Sequence, residues 1–235
     1  MPSFPLFNWF RTSGASTGCR TGLSTRASLD EAVKDVADQI GQRSGSADLA
    51  LVFVSTGYAS DFPRLMPMLR SRIKAKHWIG CAGGGVIGTR SDGTASEMEK
   101  SPALSVSLLK LPGVEIETRS LSTVKLPDLD GAAQNWQDWV GIPPTQSRSQ
   151  IVLIDPTSSG INDLISGLDY AYPSTDKLGG IAAPHNNSHG SLFFDDQVTS
   201  GAVVCSIGGD WCLDPVVAQG CRPIGPVFSI EQVQR

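Results

Sequence analysis

The sequence lacks the features that mark several large classes of protein. It has no run rich in lysine or arginine and a formal net charge of −4, so it lacks the basic stripe that binds nucleic acid. No apolar stretch approaches the length that crosses a bilayer. Apolar residues nevertheless make up 40% of the 235 residues, which is enough for a globular core. We therefore expect a globular domain that binds neither nucleic acid nor membrane.

The sequence also lacks a metal-binding or redox pattern of cysteines. None of its five cysteines belongs to a C-x-x-C pair. The gaps between Cys205, Cys212 and Cys221 are too wide for a zinc knuckle, whose paired ligands lie on one turn. The pattern indicates free thiols in a reducing compartment, and it predicts no metal site and no cofactor.

Acidic residues are missing from the first 28 residues. This segment carries three arginines and eight serine or threonine residues before Ala27, and the first acid is Asp30. Organelle import signals have this composition, because the import machinery reads positive charge. We predict a transit peptide over residues 1–27, with a chloroplast as the destination and a mitochondrion or the cytoplasm as alternatives. A disordered tail is the competing interpretation.

From residue 28 onward, apolar patterns typical of helices and of strands alternate. Ser28 and Glu31 predict a capping box for a helix that ends at Ile40. Residues 47–55 and 149–156 are apolar on both faces, which predicts buried strands. A helix and a short glycine-rich strand are predicted to follow each of them. The first of these helices covers residues 60–73, where we expect Pro67 to kink or shorten it.

Antiparallel strands are predicted after each glycine-rich strand. Residues 103–111 and 113–121 alternate apolar and polar side chains around Pro-Gly, which predicts a hairpin. Residues 190–196 and 198–209 predict a second pair, and residues 211–219 a further strand. A short helix with Trp136 and Trp139 on its inner side lies between the halves. We predict an α/β (α+β layered) fold, in which two pseudo-repeated halves build mixed β-sheets with helices packed on them.

The glycine-rich stretch "GCAGGGVIG", residues 80–88, contains the spacing G-x-G-x-x-G. A dinucleotide site would also need a following helix and an acid about 20 residues later. The stretch continues instead into "TRSDGTAS", which predicts a turn, so we reject a nucleotide site. The backbone of Gly83, Gly84 and Gly85 can still approach a small ligand closely.

Polar residues collect at the predicted ends of two other strands. The loop "APHNNSHGS" carries His185, Asn186 and His189, as a plain polar loop or as the rim of a pocket. Asp155 ends its strand, either as a helix cap or as an acid at the ligand-binding edge of a sheet. Cys81 and His185 both end glycine-rich strands, so a thiol–imidazole pair is a further alternative.

Four segments in this order carry a resemblance to a known family: "GCAGGGVIG", "GGIAAPHNN", "GAVVCSIGGD" and "VAQGCRPIGP". The chain is similar to the N-terminal FIST domain, found in bacterial signalling proteins and in a class of F-box proteins. The resemblance covers about residues 28–228, and we place the domain at residues 28–230 with a short tail at 231–235. It implies a sensory module that binds small ligands, such as amino acids, and signals to an attached output or partner domain. It implies no catalytic residues.

One feature departs from the family pattern. In the family the "QGCRPIGP" turn leads into a C-terminal FIST domain, whereas this sequence continues only with "VFSIEQVQR". We expect a truncated paralogue, a fragmentary gene model or a separately encoded second half. The apolar strand "PVFSI" then has an unpaired edge that would bind a partner or self-associate.

We therefore predict a non-catalytic sensory domain that binds a small ligand, with an adaptor module without a ligand as one alternative. A thiol enzyme using Cys81 or Cys221 is another. Arg222 could pair with a ligand carboxylate through its planar guanidinium group. The candidate ligand-binding residues are Cys81, Gly83, Gly84, Gly85, Asp155, His185, Asn186, His189, Cys221 and Arg222.

Overall fold

The two predicted halves form two β-sheets that pack face to face, with two helices on the outer face of each sheet. The computed structural model describes residues 16–41 and 46–216. The first half contains β1 (Gly18–Ser24), α1 (Leu29–Ile40), β2 (Ala47–Ser55), α2 (Phe62–Arg72), β3 (Ala75–Gly83), β4 (Gly85–Thr89), β5 (Ala95–Glu99) and β6 (Leu104–Lys110). The second half contains β7 (Val114–Leu121), α3 (Ala133–Val140), β8 (Ser149–Ile154), α4 (Ile161–Ala171), β9 (Asp176–Ile181), β10 (Leu192–Phe194), β11 (Gln197–Thr199) and β12 (Ala202–Gly209).

The strand orders of the two sheets show the duplication. The first sheet has the order β1-β6-β2-β3-β10-β11 and the second has the order β7-β12-β8-β9. In each half the buried central strand is parallel to the glycine-rich strand on one side and antiparallel to its other neighbour. The four strands β1, β6, β2 and β3 therefore correspond to β7, β12, β8 and β9. The predicted α/β fold of two repeated halves is confirmed, and the pairs β4-β5 and β10-β11 are insertions.

Alternating side chains of the central strands build three apolar layers. In the first sheet, Val52 and Trp78 pack against α1 and α2, whereas Leu49 and Ile79 face the second sheet. The second sheet alternates in the same way, with its outer side chains packed against α3 and α4. Because both faces of each sheet are covered, the central strands are apolar along most of their length, as predicted, with Asp48 in β2 and Gln150 in β8 as buried polar exceptions.

The first helix begins as the sequence predicts. The Oγ atom of Ser28 accepts a hydrogen bond from the main-chain amide of Glu31 over 3.3 Å, which caps the N-terminus of α1. Its buried side chains, which include Val33 and Val36, form an apolar stripe against the first sheet.

α2 is shorter than predicted because a 3-10 helix, Thr56–Asp61, precedes it. Pro67 lies within α2 on its exposed side, and the helix continues past it to Arg72. Of the two tryptophans in α3, Trp136 is fully buried and Trp139 is partly buried. None of the helices within the described residues is long and apolar enough to span a membrane.

The predicted hairpin over residues 103–121 is wrong. β6 lies between β1 and β2 in the first sheet, whereas β7 pairs with β12 in the second. Both edges of β6 are therefore occupied, and no place beside it remains for β7. The corner at Pro112 and Gly113, where Gly113 has a φ of 79°, carries the chain from one sheet to the other.

The second predicted pair forms only near its turn, where Leu192 and Phe193 lie antiparallel to Thr199 and Val198. β10 pairs with β11 and with β3 in the first sheet, and β12 pairs with β7 and β8 in the second. The chain again changes sheets, at Gly201 with a φ of 85°. The further strand predicted over residues 211–219 is not formed in residues 211–216, and its last three residues lie outside the described ranges.

The folded domain starts before the predicted boundary at residue 28. All seven residues of β1 are in antiparallel register with β6, from Gly18 opposite Lys110 to Ser24 opposite Leu104. Leu23 is buried, because β4 and β5 pack over it. Residues 18–24 are therefore an integral edge strand, and only residues 1–17 precede the first sheet.

Candidate functional site

The structure brings the predicted glycine-rich and histidine-containing segments to the same end of the molecule. The amide of Ala82 donates a hydrogen bond to the carbonyl oxygen of Ser191, and the amide of Ala183 donates to the carbonyl oxygen of Ala82, each over 2.8 Å. Gly83 ends β3 and is the next residue in the chain after Ala82. The loop over residues 183–191 thus covers the carboxyl end of β3.

The two histidines pack against the N-terminal end of α2. The ring centroid of Phe62 lies 5.3 Å from that of His185 and 5.6 Å from that of His189. Nε2 of His189 lies 2.8 Å from the carbonyl oxygen of Ala59, and its Nδ1 lies 3.1 Å from that of Gly190. A neutral imidazole carries a single N–H, which can donate to one of these two carbonyl groups. The Nε2 contact joins His189 to Ala59 and so ties the loop to the segment before α2.

The remaining predicted residues near this loop differ in exposure. Asn186 and Gly84 are exposed, and a Cβ atom on Gly84 would contact nothing within 4 Å. Gly85 begins β4, which pairs with β5, so a strand follows the glycines where a dinucleotide site needs a helix. The glycines therefore lie at the bend where the chain passes from β3 into β4.

The structure does not form the thiol–imidazole pair. The side chain of Cys81 packs in the layer between the two sheets, whereas His185 packs on Phe62 at the helical face of the first sheet. Burial raises the pKa of the Cys81 thiol to about 11, which removes the thiolate that a nucleophile needs.

Two further candidates, Cys221 and Arg222, lie outside the described residues. Within those residues, no group of three or more His, Cys, Asp or Glu side chains could hold a metal ion.

Asp155 organises the loop that follows β8. It is 1% exposed; its Oδ1 accepts hydrogen bonds from the amide and the hydroxyl of Thr157, and its Oδ2 accepts one from the amide of Ser191. Burial alone would raise the pKa of the Asp155 carboxyl group, but these hydrogen bonds outweigh it and hold the pKa below its ordinary value of 3.8. Asp155 is therefore an ionised residue whose hydrogen bonds hold the loop after β8 in its conformation.

A cleft lined with hydroxyl groups lies above this loop. Its volume is about 410 Å³, and its walls come from the end of β7, the loop after β8 and the turn before β12. We call it the hydroxyl cleft. The residues that line it are Ser120, Leu121, Ser122, Thr123, Val124, Thr157, Ser158, Ser159, Thr199, Ser200 and Gly201.

Several hydroxyl protons in the cleft are already used by the protein. Ser158 donates to the carbonyl oxygen of Gly201 over 2.9 Å, and Ser159 donates to that of Thr123 over 3.3 Å. Such hydroxyl groups keep their oxygen lone pairs as acceptors. Ser122 and Ser200 are exposed, and within the described part of the chain their hydroxyls make no hydrogen bond. The cleft thus offers acceptors in fixed positions and two uncommitted hydroxyl groups.

Sequence reasoning missed this cleft. It identified Asp155 at the carboxyl end of a buried strand but none of the residues that line the cavity. The available signal was the hydroxyl-rich character of three stretches at strand ends, "SLSTV", "PTSSG" and "VTSG". Neither the glycines at residues 83–85 nor His185, Asn186 and His189 line the cleft.

The structure is thus a duplicated α/β domain with a small polar cleft. A model of the FIST N domain matches residues 48–235, so the chain belongs to the FIST N-domain family. FIST domains are generally sensory or signal-transduction domains.

Two curated relatives come from Mycobacterium tuberculosis, one from strain CDC 1551 and one from strain H37Rv, and both are called uncharacterized proteins. Each is 26% identical to this chain over 215 residues, which is 91% of this chain and 52% of the relative. The chain thus spans about half the length of the curated relatives it matches.

Proposed function

We propose that this domain is a non-catalytic sensor that binds a small polar ligand in the hydroxyl cleft. The observation that carries the proposal is the convergence of three hydroxyl-bearing segments on one cavity of about 410 Å³, a size typical of small-molecule sites. The cleft follows the carboxyl end of β8, the edge at which ligands collect in α/β sheets. Amino acids and small organic acids are the ligands that we propose.

The chemistry of the cleft suits such a ligand. Its lining residues carry no charge, so hydroxyl and main-chain groups must recognise the ligand through hydrogen bonds. Acceptor lone pairs on Ser158 and Ser159 suit an ammonium or hydroxyl group, and the hydroxyls of Ser122 and Ser200 can donate to a carboxylate. A lipophilic ligand would leave these polar groups without partners, which costs binding free energy.

The histidine loop is the less suitable site. His189 holds its two carbonyl partners, and His185 receives the amide of Asn187 at Nδ1 over 3.2 Å. A ligand there would have to break these contacts before it could use either ring. This loop therefore serves as a cover for the end of β3 in our proposal.

A thermal-shift screen with amino acids and small organic acids tests the proposal. A ligand present at about 100 times its dissociation constant should stabilise the domain by about 2.7 kcal/mol. Ser200→Leu fills the cleft and should abolish the shift, whereas Ser91→Leu, an exposed serine in the β4–β5 turn, should keep it. Loss of the shift in Gly84→Leu but not in Ser200→Leu would move the site to the glycine-rich segment.

An adaptor function without a ligand remains the alternative if the screen gives no shift. A thiol enzyme is disfavoured at Cys81, because the pKa of its buried thiol is raised to about 11.

We further propose a chloroplast location, with a mitochondrion or the cytoplasm as alternatives, from the acid-free composition of the first 28 residues. Because β1 begins at Gly18, an import assay with N-terminal sequencing should place any cleavage before that residue.

A further inference from the structure

β9 forms an edge of the second sheet that is apolar and open. It pairs with β8 on one side, and within residues 16–41 and 46–216 no strand pairs with its other side. Leu178 and Ile181 of this strand are 43% and 58% exposed. Natural proteins usually cover or charge such an edge, because it otherwise pairs with other chains. We therefore expect another segment to pair with the open edge of β9.

An apolar groove of about 250 Å³ accompanies this edge. Val152 and Ile154 of β8 form its floor, and Ile165 and Leu168 of α4 form one wall, with residues 177–181 of β9 opposite. Its two charged residues, Asp169 and Lys177, form an ion pair with 3.1 Å between Oδ1 and Nζ. The rest of the groove suits an apolar side chain, and we call it the β9 groove.

The corresponding edge of the first sheet is covered. β3 is the counterpart of β9, and its outer edge pairs with β10, where Phe193 lies opposite Gly80. A Cβ atom on Gly80 would lie 2.0 Å from the carbonyl oxygen of Val52, and one on Gly179 would lie 1.8 Å from that of Val152. The two glycines therefore occupy equivalent positions beside equivalent valines.

The covering strand of the first sheet contributes an aromatic side chain at this position. Phe193 is fully buried on the helical face, with its ring centroid 5.3 Å from that of Phe62 in α2. It lies directly opposite Gly80 in the register of the two strands, a pairing in which cross-strand aromatics compensate for glycine in sheets. In the second sheet the space beside Gly179 is the β9 groove, which no described residue fills.

The chain itself can supply the missing strand. After β12 it passes the start of β8, where the amide of Leu213 donates to Oγ of Ser149 over 2.8 Å, and Ser149 is in register with Asp176 at the start of β9. Residues 217–226 can extend over about 33 Å, whereas a six-residue strand is only about 20 Å long. The sequence that follows is "VFSIEQVQR", with Phe228 as its aromatic residue. Because the family match continues through residue 235, this segment belongs to the domain.

We propose that residues 227–229 pair antiparallel with the outer edge of β9 and that Phe228 fills the β9 groove beside Gly179. Val-Phe-Ser at residues 227–229 thereby repeats the role that Leu-Phe-Phe of β10 has on β3. The second sheet then has five strands, and its apolar edge is closed by the same chain.

Hydrogen–deuterium exchange of the full-length protein tests this assignment. In the unmodified protein the amides of β9 should be protected to an extent similar to those of β3. Phe228→Asp should speed exchange in β9 by more than about tenfold, because burial of one phenylalanine stabilises the closed state by at least that factor. Exchange in β3 should not change. Val233→Asp, which adds the same charge farther along the segment, should leave both strands protected.

The other outcomes each overturn the assignment. Fast exchange of β9 in the unmodified protein means an open edge, and protection that survives Phe228→Asp means a different occupant. Protection that is lost on dilution, together with a dimer in light scattering, means that the segment of a second copy binds there. If Phe228→Asp unfolds the chain and exposes β3 as well, Phe228→Ala is read by the same criteria.

Discussion

Oδ2 of Asp155, at the end of β8 in the second sheet, accepts a hydrogen bond of 2.6 Å from the amide of Ser191. The carbonyl oxygen of the same Ser191 accepts a hydrogen bond from Ala82 of β3 in the first sheet. One main-chain segment therefore joins the strand ends of both sheets, with the loop of the hydroxyl cleft on one side and the histidine loop on the other. Ser191 thus connects the loop beside the hydroxyl cleft with the end of β3.

Asp155→Asn should destabilise the domain at neutral pH by about 2 kcal/mol, the scale for hydrogen bonds to a buried charged group. The folded state holds the pKa of Asp155 below its ordinary value of 3.8. Its contribution is therefore present above that pH and is lost as the pH falls through the lower, folded-state pKa. Urea unfolding from pH 7 down to about pH 3 should show the difference between variant and wild type shrinking. A constant difference would mean that charge has no part in the effect.

Removal of residues 1–27 should lower the melting temperature by about 10 °C, whereas removal of residues 1–15 should leave it within about 2 °C. The longer deletion removes β1 and the hydrogen bond of 2.7 Å between Ser24 Oγ and Asp35. It also removes the carbonyl group of Arg26, which accepts a hydrogen bond from the hydroxyl of Tyr58. Differential scanning fluorimetry of both proteins makes the comparison. Equal melting temperatures would show that β1 is dispensable.

Gly167→Ala should destabilise the protein by about 2 kcal/mol, although alanine favours helices over glycine by about 1 kcal/mol. A Cβ atom at this position in α4 would lie 2.2 Å from the ring of Trp136, which is fully buried. Gly84→Ala is the control, because Gly84 is exposed and a Cβ atom there would have no neighbour within 4 Å. Chemical denaturation of the two variants measures the effect. A more stable Gly167→Ala protein would show that α3 and α4 pack less closely than described.

Iodoacetamide near neutral pH should modify Cys19 well before Cys81 and Cys205. Cys19 is exposed, whereas burial raises the pKa of Cys81 to about 11 and that of Cys205 to about 12. Only the thiolate reacts with iodoacetamide. Cys81 and Cys205 should therefore react slowly for two reasons: burial limits access of the reagent, and the raised pKa keeps the thiols protonated. Mass spectrometry of digested samples gives the rate at each site. Rapid modification of Cys81 would restore the thiol enzyme as a candidate.

Local signals predicted the elements but not how they pair. Ser28 and Glu31 determine the start of α1 within one turn, and the apolar run Ala47–Ser55 is a strand with the predicted bounds. The pairing of β6 and β7 depends on which strands already flank β6, and these come from residues 18–24 and 47–55. A hairpin is the local solution for residues 103–121, and the competition from β1 and β2 is not visible in that stretch.

The candidate site was predicted in part for the same reason. Asp155 was identified because it directly follows a buried strand, and that position has meaning in any α/β sheet. Ser122 follows β7, Ser158 follows β8 and Ser200 precedes β12, and these three strands are neighbours only in the folded second sheet. Serines at loop positions have no period that marks them as neighbours. The histidines were correctly placed at a strand end, but their carbonyl partners Ala59 and Gly190 could not be read from spacing.

The packing of the two repeated halves against each other has a consequence for how the domain unfolds. Each sheet buries the inner face of the other. In this shared layer, Leu49 and Ile79 of one half pack in the same cluster as Leu153 and Val203 of the other. If one half unfolded alone, the apolar inner face of the other half would be exposed to solvent. We therefore expect the two repeated halves to unfold together in one cooperative transition.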